Sequence, residues 1–383
     1  MLRQSPRTAG QIGPIPPSSS PVLPPVWNGR SPPFRVEKDN FDVYIDQNGH
    51  RVPAFPLLPL IAAVQHMHPD FAFSNVDIVT DRNSLRKLLR WIRGRESDST
   101  VKEFRIDVQM NGRTMLFTRR ESKTKELSNR AYGIGFERAC TSAPPGQAVP
   151  RQTGHHRVVK YNLEDMELLV RFELDACLPA PVARSGPDIG DLLSRLDRLG
   201  ISGGNAAEAT TGRPVGSNPA GSLTAQRAAQ PPASTAAAAS ARSSSELVEV
   251  IPSGTLVPQS STIELTTVSK KFQHSFSWPE NYPQLFLSQT AHHFLGVHEF
   301  GKFTTIRKST LQSMTEGTIG RDQRGDLKRL GRALRDIYNR VAEQNEGTLL
   351  CLDCAGGVLR LYRRTDGKQA LPQEALALFS QAA

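Results

Sequence analysis

Apolar and polar positions alternate most regularly over residues 166–176, where Met166, Leu168, Val170, Phe172 and Leu174 share one side of an extended chain. Arg171, Glu173 and Asp175 share the other. The same period of two runs through Phe104, Ile106, Val108 and Met110. Asn111-Gly112 then supplies a type I′ turn into residues 114–119, which predicts an antiparallel hairpin. A second hairpin is expected from residues 156–161 through Glu164-Asp165 into the strand at Met166. Further strands are read at 76–79, 301–307, 348–352 and 357–362. The period changes to 3.6 over residues 83–93, where Leu85, Leu88, Leu89 and Ile92 form a stripe, Asp81 or Asn83 can cap, and Gly94 ends the helix. Other helices are expected at 59–66, with Pro59 in the first turn, at 283–295, and at 321–344, where Leu327, Leu330, Leu334, Ile337, Tyr338 and Val341 lie on one side. Residues 122–131 read as a polar loop, and Tyr132 to Glu137 lead into a short helix or turn. Strands in antiparallel pairs, helices in blocks and few βαβ alternations predict an α+β fold with a mixed, largely antiparallel sheet flanked by helices.

Composition limits how much of the 383-residue chain joins that fold. Residues 1–36 hold nine prolines, four arginines and no acid, and are expected to be a disordered arm, with folding beginning near Phe41. Lack of acids also suits a mitochondrial transit peptide, but the prolines oppose a sustained amphipathic helix. Residues 180–258 are rich in Ala, Ser, Gly and Pro, broken only by residues 189–199, where one or two helical turns are expected. They read as a disordered insertion. The expected organisation is one discontinuous domain over 37–179 and 259–365, with 366–383 as a tail.

A net charge of +10 suits a polyanionic partner such as nucleic acid. The basic residues Arg86, Lys87, Arg90 and Arg93 read as the solvated face of their helix and not as a phosphate track. No secretory signal and no run of eighteen apolar residues appears, so an intracellular, nuclear or cytoplasmic protein without membrane attachment is expected. The disordered segments offer a route to a protein partner. Four cysteines make no disulfide framework, and Cys351 and Cys354, though spaced like metal ligands, lack a second pair and fall in a strand-like run.

Glu173 and Asp175 are candidate metal ligands because residues two apart on a strand lie roughly 6.5–7 Å apart at Cα, so their oxygens can converge on a divalent ion if a neighbouring strand adds another acid. Glu264 is the candidate for that third acid. Arg171 shares their face and either meets a phosphate or neutralises the two carboxylates. The other reading of the acids is a partly buried network with Arg105, Arg157 and Arg171. Adjacent histidines at 155–156 and 292–293 point to opposite faces of a strand and do not easily share one ion. A P-loop, a G-x-S-x-G elbow and an H-E-x-x-H motif are absent.

The order Gly135-Phe136-Glu137, Phe172-Glu173-Leu174-Asp175, Ile263-Glu264-Leu265-Thr266 and Leu287-Ser288-Gln289 resembles the PD-(D/E)XK nuclease pattern as it occurs in the decapping exoribonucleases. Residues 80–88 and 154–159 add a closer resemblance to a large fungal group of proteins often labelled geranylgeranyl pyrophosphate synthetase. The resemblance implies Glu137, Glu173, Asp175 and Glu264 as ligands of Mg²⁺ or Mn²⁺, with the Leu265 carbonyl as a further oxygen. Glu173, Asp175, Glu264 and Gln289 would be catalytic in phosphodiester hydrolysis, and Arg171, Arg157 and Gln289 would touch an RNA substrate.

Thr266 departs from that pattern, standing where the family has a lysine, and threonine supplies no cation. Lys270 or Lys271 would have to reach back across roughly 13–17 Å of extended chain. The expected activity is therefore degenerate or slow, the alternative being a non-catalytic domain that binds RNA or a protein. Prenyl diphosphate synthesis is excluded. That chemistry uses an all-helical fold with paired D-D-x-x-D motifs, and the chain has an Asn-Gly hairpin and no such motif.

Overall fold

The computed structural model describes residues 24–94, 102–128, 131–143, 154–180, 248–250, 256–345 and 347–380. The expected arm up to residue 23 and most of the expected insertion, with its turns at 189–199, lie outside the described residues. Elements are numbered in chain order. One seven-stranded sheet has the order Val358–Arg363 (β16), Leu349–Ala355 (β15), Phe104–Asn111 (β5), Thr114–Arg120 (β6), Ile78–Asp81 (β4), Met166–Leu174 (β10), His155–Leu163 (β9). The second has the order Phe34–Arg35 (β2), Lys302–Thr310 (β14), His292–Glu299 (β13), Thr262–Ser269 (β12), Ala176–Cys177 (β11), Val26–Trp27 (β1), Thr141–Ser142 (β8). Phe41–Tyr44 (β3) pairs with Lys125–Ser128 (β7). Parallel pairs β10–β4, β4–β6, β12–β13 and β1–β11 sit among a majority of antiparallel ones, so the fold is mixed α+β.

The alternation in β10 separates two cores. Leu168, Val170 and Phe172 pack with Leu85, Leu88 and Leu89 of Arg82–Gly94 (α3) and with Leu327, Leu330 and Leu334 of the long helix Thr318–Ala342. Leu169 faces the other way, onto Leu60, Ile61 and Val64 of Leu58–Met67 (α2). Each such side chain contributes about 1.5–3 kcal/mol when fully buried. A third cluster covers the second sheet, where Phe136, Phe34 and Phe303 stack. No helix among the described residues is long and apolar enough to cross a membrane.

Several expected boundaries change. Val26–Trp27 and Phe34–Arg35 are strands, with Trp27 and Phe34 buried, so the ordered chain begins well before Phe41. At the other end the expected tail carries the helix Gln373–Ala377 and buries Leu371, Leu376 and Phe379 against α2. Residues 125–128, expected in a loop, form β7 by pairing with β3. The helix expected over 283–295 runs instead from Trp278 to Ser288 and ends at Gln289 in the left-handed region, φ 52°. After it, His292–Glu299 is a strand, paired on both sides. Pro283 lies inside that helix and cannot donate to the carbonyl of Pro279. Arg93 Nη1 donates to that carbonyl instead.

One pairing brings the acid-bearing stretches together. Ala176 of β11 lies opposite Ile263 of β12, so the stretches on either side of residues 180–258 are bonded neighbours. The β10 to β11 continuation thus carries Glu173 and Asp175 from the first sheet to the edge of Glu264's strand.

Candidate functional site

Gly133–Cys140 (α4) supplies Glu137, and the sequence seats that helix in two ways. Phe136 inserts over β13 at Gly296, where a Cβ would lie 2.7 Å from the Phe136 ring. Buried Asp39 accepts hydrogen bonds from the backbone N–H groups of Gly135, at 2.9 Å, and Ile134, at 3.2 Å, satisfying orphan donors of the first turn. The chain before Phe41 therefore positions a candidate ligand. Asp175 is held from the other side, its Oδ2 accepting from Leu265 N at 2.8 Å.

The four acids share one electrostatic field. Burial, then the negative charges of Glu173, Glu264 and Asp39, raise the Glu137 carboxyl to about 8. Burial, Glu264 and Glu137 raise Asp175 well above the usual carboxylate range, against the pull of the Leu265 N–H. The Glu173 side chain is exposed and lines the cavity described below. Desolvation raises it, Arg82 opposes the rise and Glu264 adds to it. Like charges forced together out of water are the usual cause of such elevation.

Glu264 is 5% exposed and both of its oxygens are engaged. Arg82, the first residue of α3, donates from Nη1 to Oε2 at 2.9 Å, and Gln284 donates from Nε2 to Oε1. The Arg82 guanidinium lies 5.7 Å from the Phe172 ring centroid. Beside it opens a cavity of about 210 Å³ lined among others by Gln47, Asn48, Arg82, Arg86, Arg119 and Glu173. Burial, then the charges of Arg82 and Arg90, lower the Arg86 guanidinium to about 10.

The expected site residues divide. Glu137, Glu173, Asp175 and Glu264 lie near enough to act on one another electrostatically. Gln289 does not join them: it terminates its helix and its Nε2 donates to Phe286 O at 2.6 Å. Gln284, on the same helix and five residues earlier, reaches the acids in its place. Arg171 does not neutralise Glu173 or Asp175. It forms a two-pronged pair with Asp81, at 2.7 and 3.0 Å, and donates to Pro56 O at 2.9 Å. Arg157 stands opposite Phe172 in the β9–β10 ladder, while Glu173 stands opposite His156, so Arg157 is on the far face of the sheet. There it donates to Val257 O at 2.6 Å, and a substrate-binding role does not fit that placement. Arg105 pairs with Asp107 and takes no part. The alternative network of acids with Arg105, Arg157 and Arg171 is thus replaced by a pair between Glu264 and Arg82.

Thr266 lies on the Glu264 face of β12 with its hydroxyl 2.7 Å from His293 Nε2. Burial lowers that imidazole to about 4, so it is neutral near pH 7 and is not a substitute cation. Lys270 and Lys271 belong to the 3₁₀ turn Lys270–Ser275, with the Lys271 ammonium 5.5 Å from the Phe272 ring centroid. His292 turns to Ser260 O and His156 to Asn48, so neither histidine pair converges. Cys351 and Cys354 are buried and free. Burial raises both thiols, which opposes metal binding there.

Among the described residues no three or more carboxylate, imidazole or thiol side chains are grouped so as to hold a metal ion. The donor chemistry nevertheless fits a hard divalent ion. Glu137, Glu173 and Asp175 are each raised in part by neighbouring carboxylate charge, and a cation among them would relieve that repulsion.

Comparison with known proteins gives the fold independently. Rai1 of Candida albicans, solved in complex with pU5 and Mn²⁺, superposes with a TM-score of 0.50 at 11% identity, covering 94% of this chain and 100% of that one. Rai1 of Scheffersomyces stipitis, solved with (3′-NADP)⁺ and a calcium ion, gives 0.50 at 11% identity over 85% and 79%. Rai1 of S. pombe gives 0.48 at 14% identity over 92% and 97%. The chain thus shares the fold of these Rai1 structures. No curated protein matches the sequence. A family described as a domain of unknown function, DUF8563, matches residues 18–379, and the chain belongs to that family.

Proposed function

We propose that this domain binds Mg²⁺ or Mn²⁺ between Glu137, Glu173, Asp175 and Glu264 and engages RNA beside them, hydrolysing phosphodiesters slowly. The observation that carries the reading is that Glu137 of α4 and Glu173 and Asp175 of β10 and its continuation are raised by burial and by the charge of Glu264 on β12. Rai1 of Candida albicans, with the same fold, was solved with pU5 and Mn²⁺, which supports both the ion and the ligand class. A divalent ion held there supplies Lewis acidity for attack of water on a phosphodiester. The chain's own groups do the rest. The Leu265 N–H fixes the Asp175 carboxylate, Gln284 orients Glu264, and Arg82, Arg86 and Arg119 give the adjoining cavity a positive wall suited to a phosphate backbone.

Slow turnover follows from Thr266, whose hydroxyl is tied to a neutral histidine where a positioned cation would be needed. The same observation favours a second reading, a domain that binds RNA without cleaving it. A 5′-phosphorylated single-stranded RNA incubated with the protein and Mn²⁺ separates them. The proposed reading expects slow, Mn²⁺-dependent shortening that is lost in the Asp175→Asn, Glu264→Gln double variant. Binding without shortening in both proteins would select the second reading.

A further inference from the structure

We propose that Arg82 is the resident counter-cation of the acid cluster and competes with the divalent ion for Glu264, so that metal entry requires its guanidinium to swing into the adjoining cavity. This rests on the metal-binding reading above. Glu264 is buried, and its two oxygens are occupied by the Arg82 guanidinium and the Gln284 amide. An incoming cation needs at least one of those oxygens. It would also stand a few ångströms from a positive charge, where like charges repel strongly in a desolvated site.

Arg82 is poised to leave. Its other polar contact at the cluster, Ser288 Oγ, is long at 3.4 Å. It begins α3, where the positive end of the helix dipole disfavours a cation that lacks an anionic partner. Arg86, one turn along, adds like charge on the same cavity wall. The cavity that Arg82 already lines also presents Asp46 and Glu173, which can receive the guanidinium once Glu264 turns to the metal. Gln284 carries no charge and so does not compete in this way.

Calorimetric titration of Mn²⁺ into the full chain tests the competition. Arg82→Met removes the guanidinium, and Arg82→Gln removes its charge while keeping a donor for Glu264. Either is expected to tighten Mn²⁺ binding by about tenfold or more, the size expected when a charge-assisted hydrogen bond no longer has to be broken. Arg82→Lys keeps the charge and should stay near the wild type. If Arg82→Met fails to fold by circular dichroism, Arg82→Gln decides. Unchanged or weaker binding in the neutral variants overturns the proposal, as does equal tightening by lysine. Measurable wild-type affinity in such a result leaves the metal site standing. Absence of binding to every protein removes both the site and the competition.

Discussion

Replacing Arg171 by methionine should lower the unfolding free energy by about 3–5 kcal/mol, the cost of breaking a buried ion pair by removing one partner. The Arg171 side chain is 1% exposed. Its guanidinium holds both oxygens of Asp81 and the Pro56 carbonyl, linking β10, the neighbouring β4 and the chain that leads into α2. Methionine fills much of the space and leaves Asp81 and Pro56 O without that donor. Urea denaturation followed by circular dichroism reads the effect as a lower midpoint with an unchanged slope. A double change, Arg171→Met with Asp81→Leu, should recover much of the loss because no charge is then left buried. A loss under about 1 kcal/mol, the size of an exposed pair, would show that water reaches Asp81 freely. The outcome bears on function too, because an arginine committed to holding two strands in register is not available to a phosphate.

Introducing lysine at Thr266 should raise Mn²⁺-dependent hydrolysis of a 5′-phosphorylated RNA by about 10²-fold or more, the usual scale for one positioned catalytic group. Thr266 shares the Glu264 face of β12, and its side chain is only half-buried. A lysine from that Cα extends toward the carboxylates, where their shared negative field keeps its ammonium charged. The wild-type substitute, a hydroxyl bound to the neutral His293 ring, offers a hydrogen bond and no charge. Time courses resolved on denaturing gels measure the change. A Thr266→Lys protein that still binds Mn²⁺ and is no faster than wild type would place the defect elsewhere and favour a binding domain.

The parts of this site that were legible in the sequence are those written in a strand period. The Asn-Gly hairpin and the alternation of Phe172 and Glu173 follow from a period that the sheet preserves, and Asp175 meets the strand of Glu264 at Leu265 N. Arg82 and Gln284 were not legible because helical periodicity says which side of a helix is apolar and little about what its polar ends meet. Arg82 is the first residue of α3, where the stripe Leu85, Leu88, Leu89 has not begun, and its partner is 182 residues away. Gln289 follows only from the resemblance of Leu287-Ser288-Gln289 to the family's helix motif; in the structure the helix ends one residue earlier. Recognising His292–Glu299 as a strand would have pointed to a glutamine farther back. Short strands such as Val26–Trp27 and Phe34–Arg35 have no detectable period, and only the sheet partners waiting for them reveal that they form. Arg171 shows the opposite limit. Its face was read correctly, but Asp81, on a parallel neighbour that no local pattern identifies, takes its charge.

The central claim is that Glu137, Glu173, Asp175 and Glu264 form one divalent-ion site, and the most direct measurement is a calorimetric titration of Mn²⁺ into the wild-type chain beside the Asp175→Asn, Glu264→Gln variant. One saturable site in the wild type, lost in a variant that folds normally, is the result expected. A folded variant that binds Mn²⁺ as the wild type does, or a wild type that binds none, would contradict it.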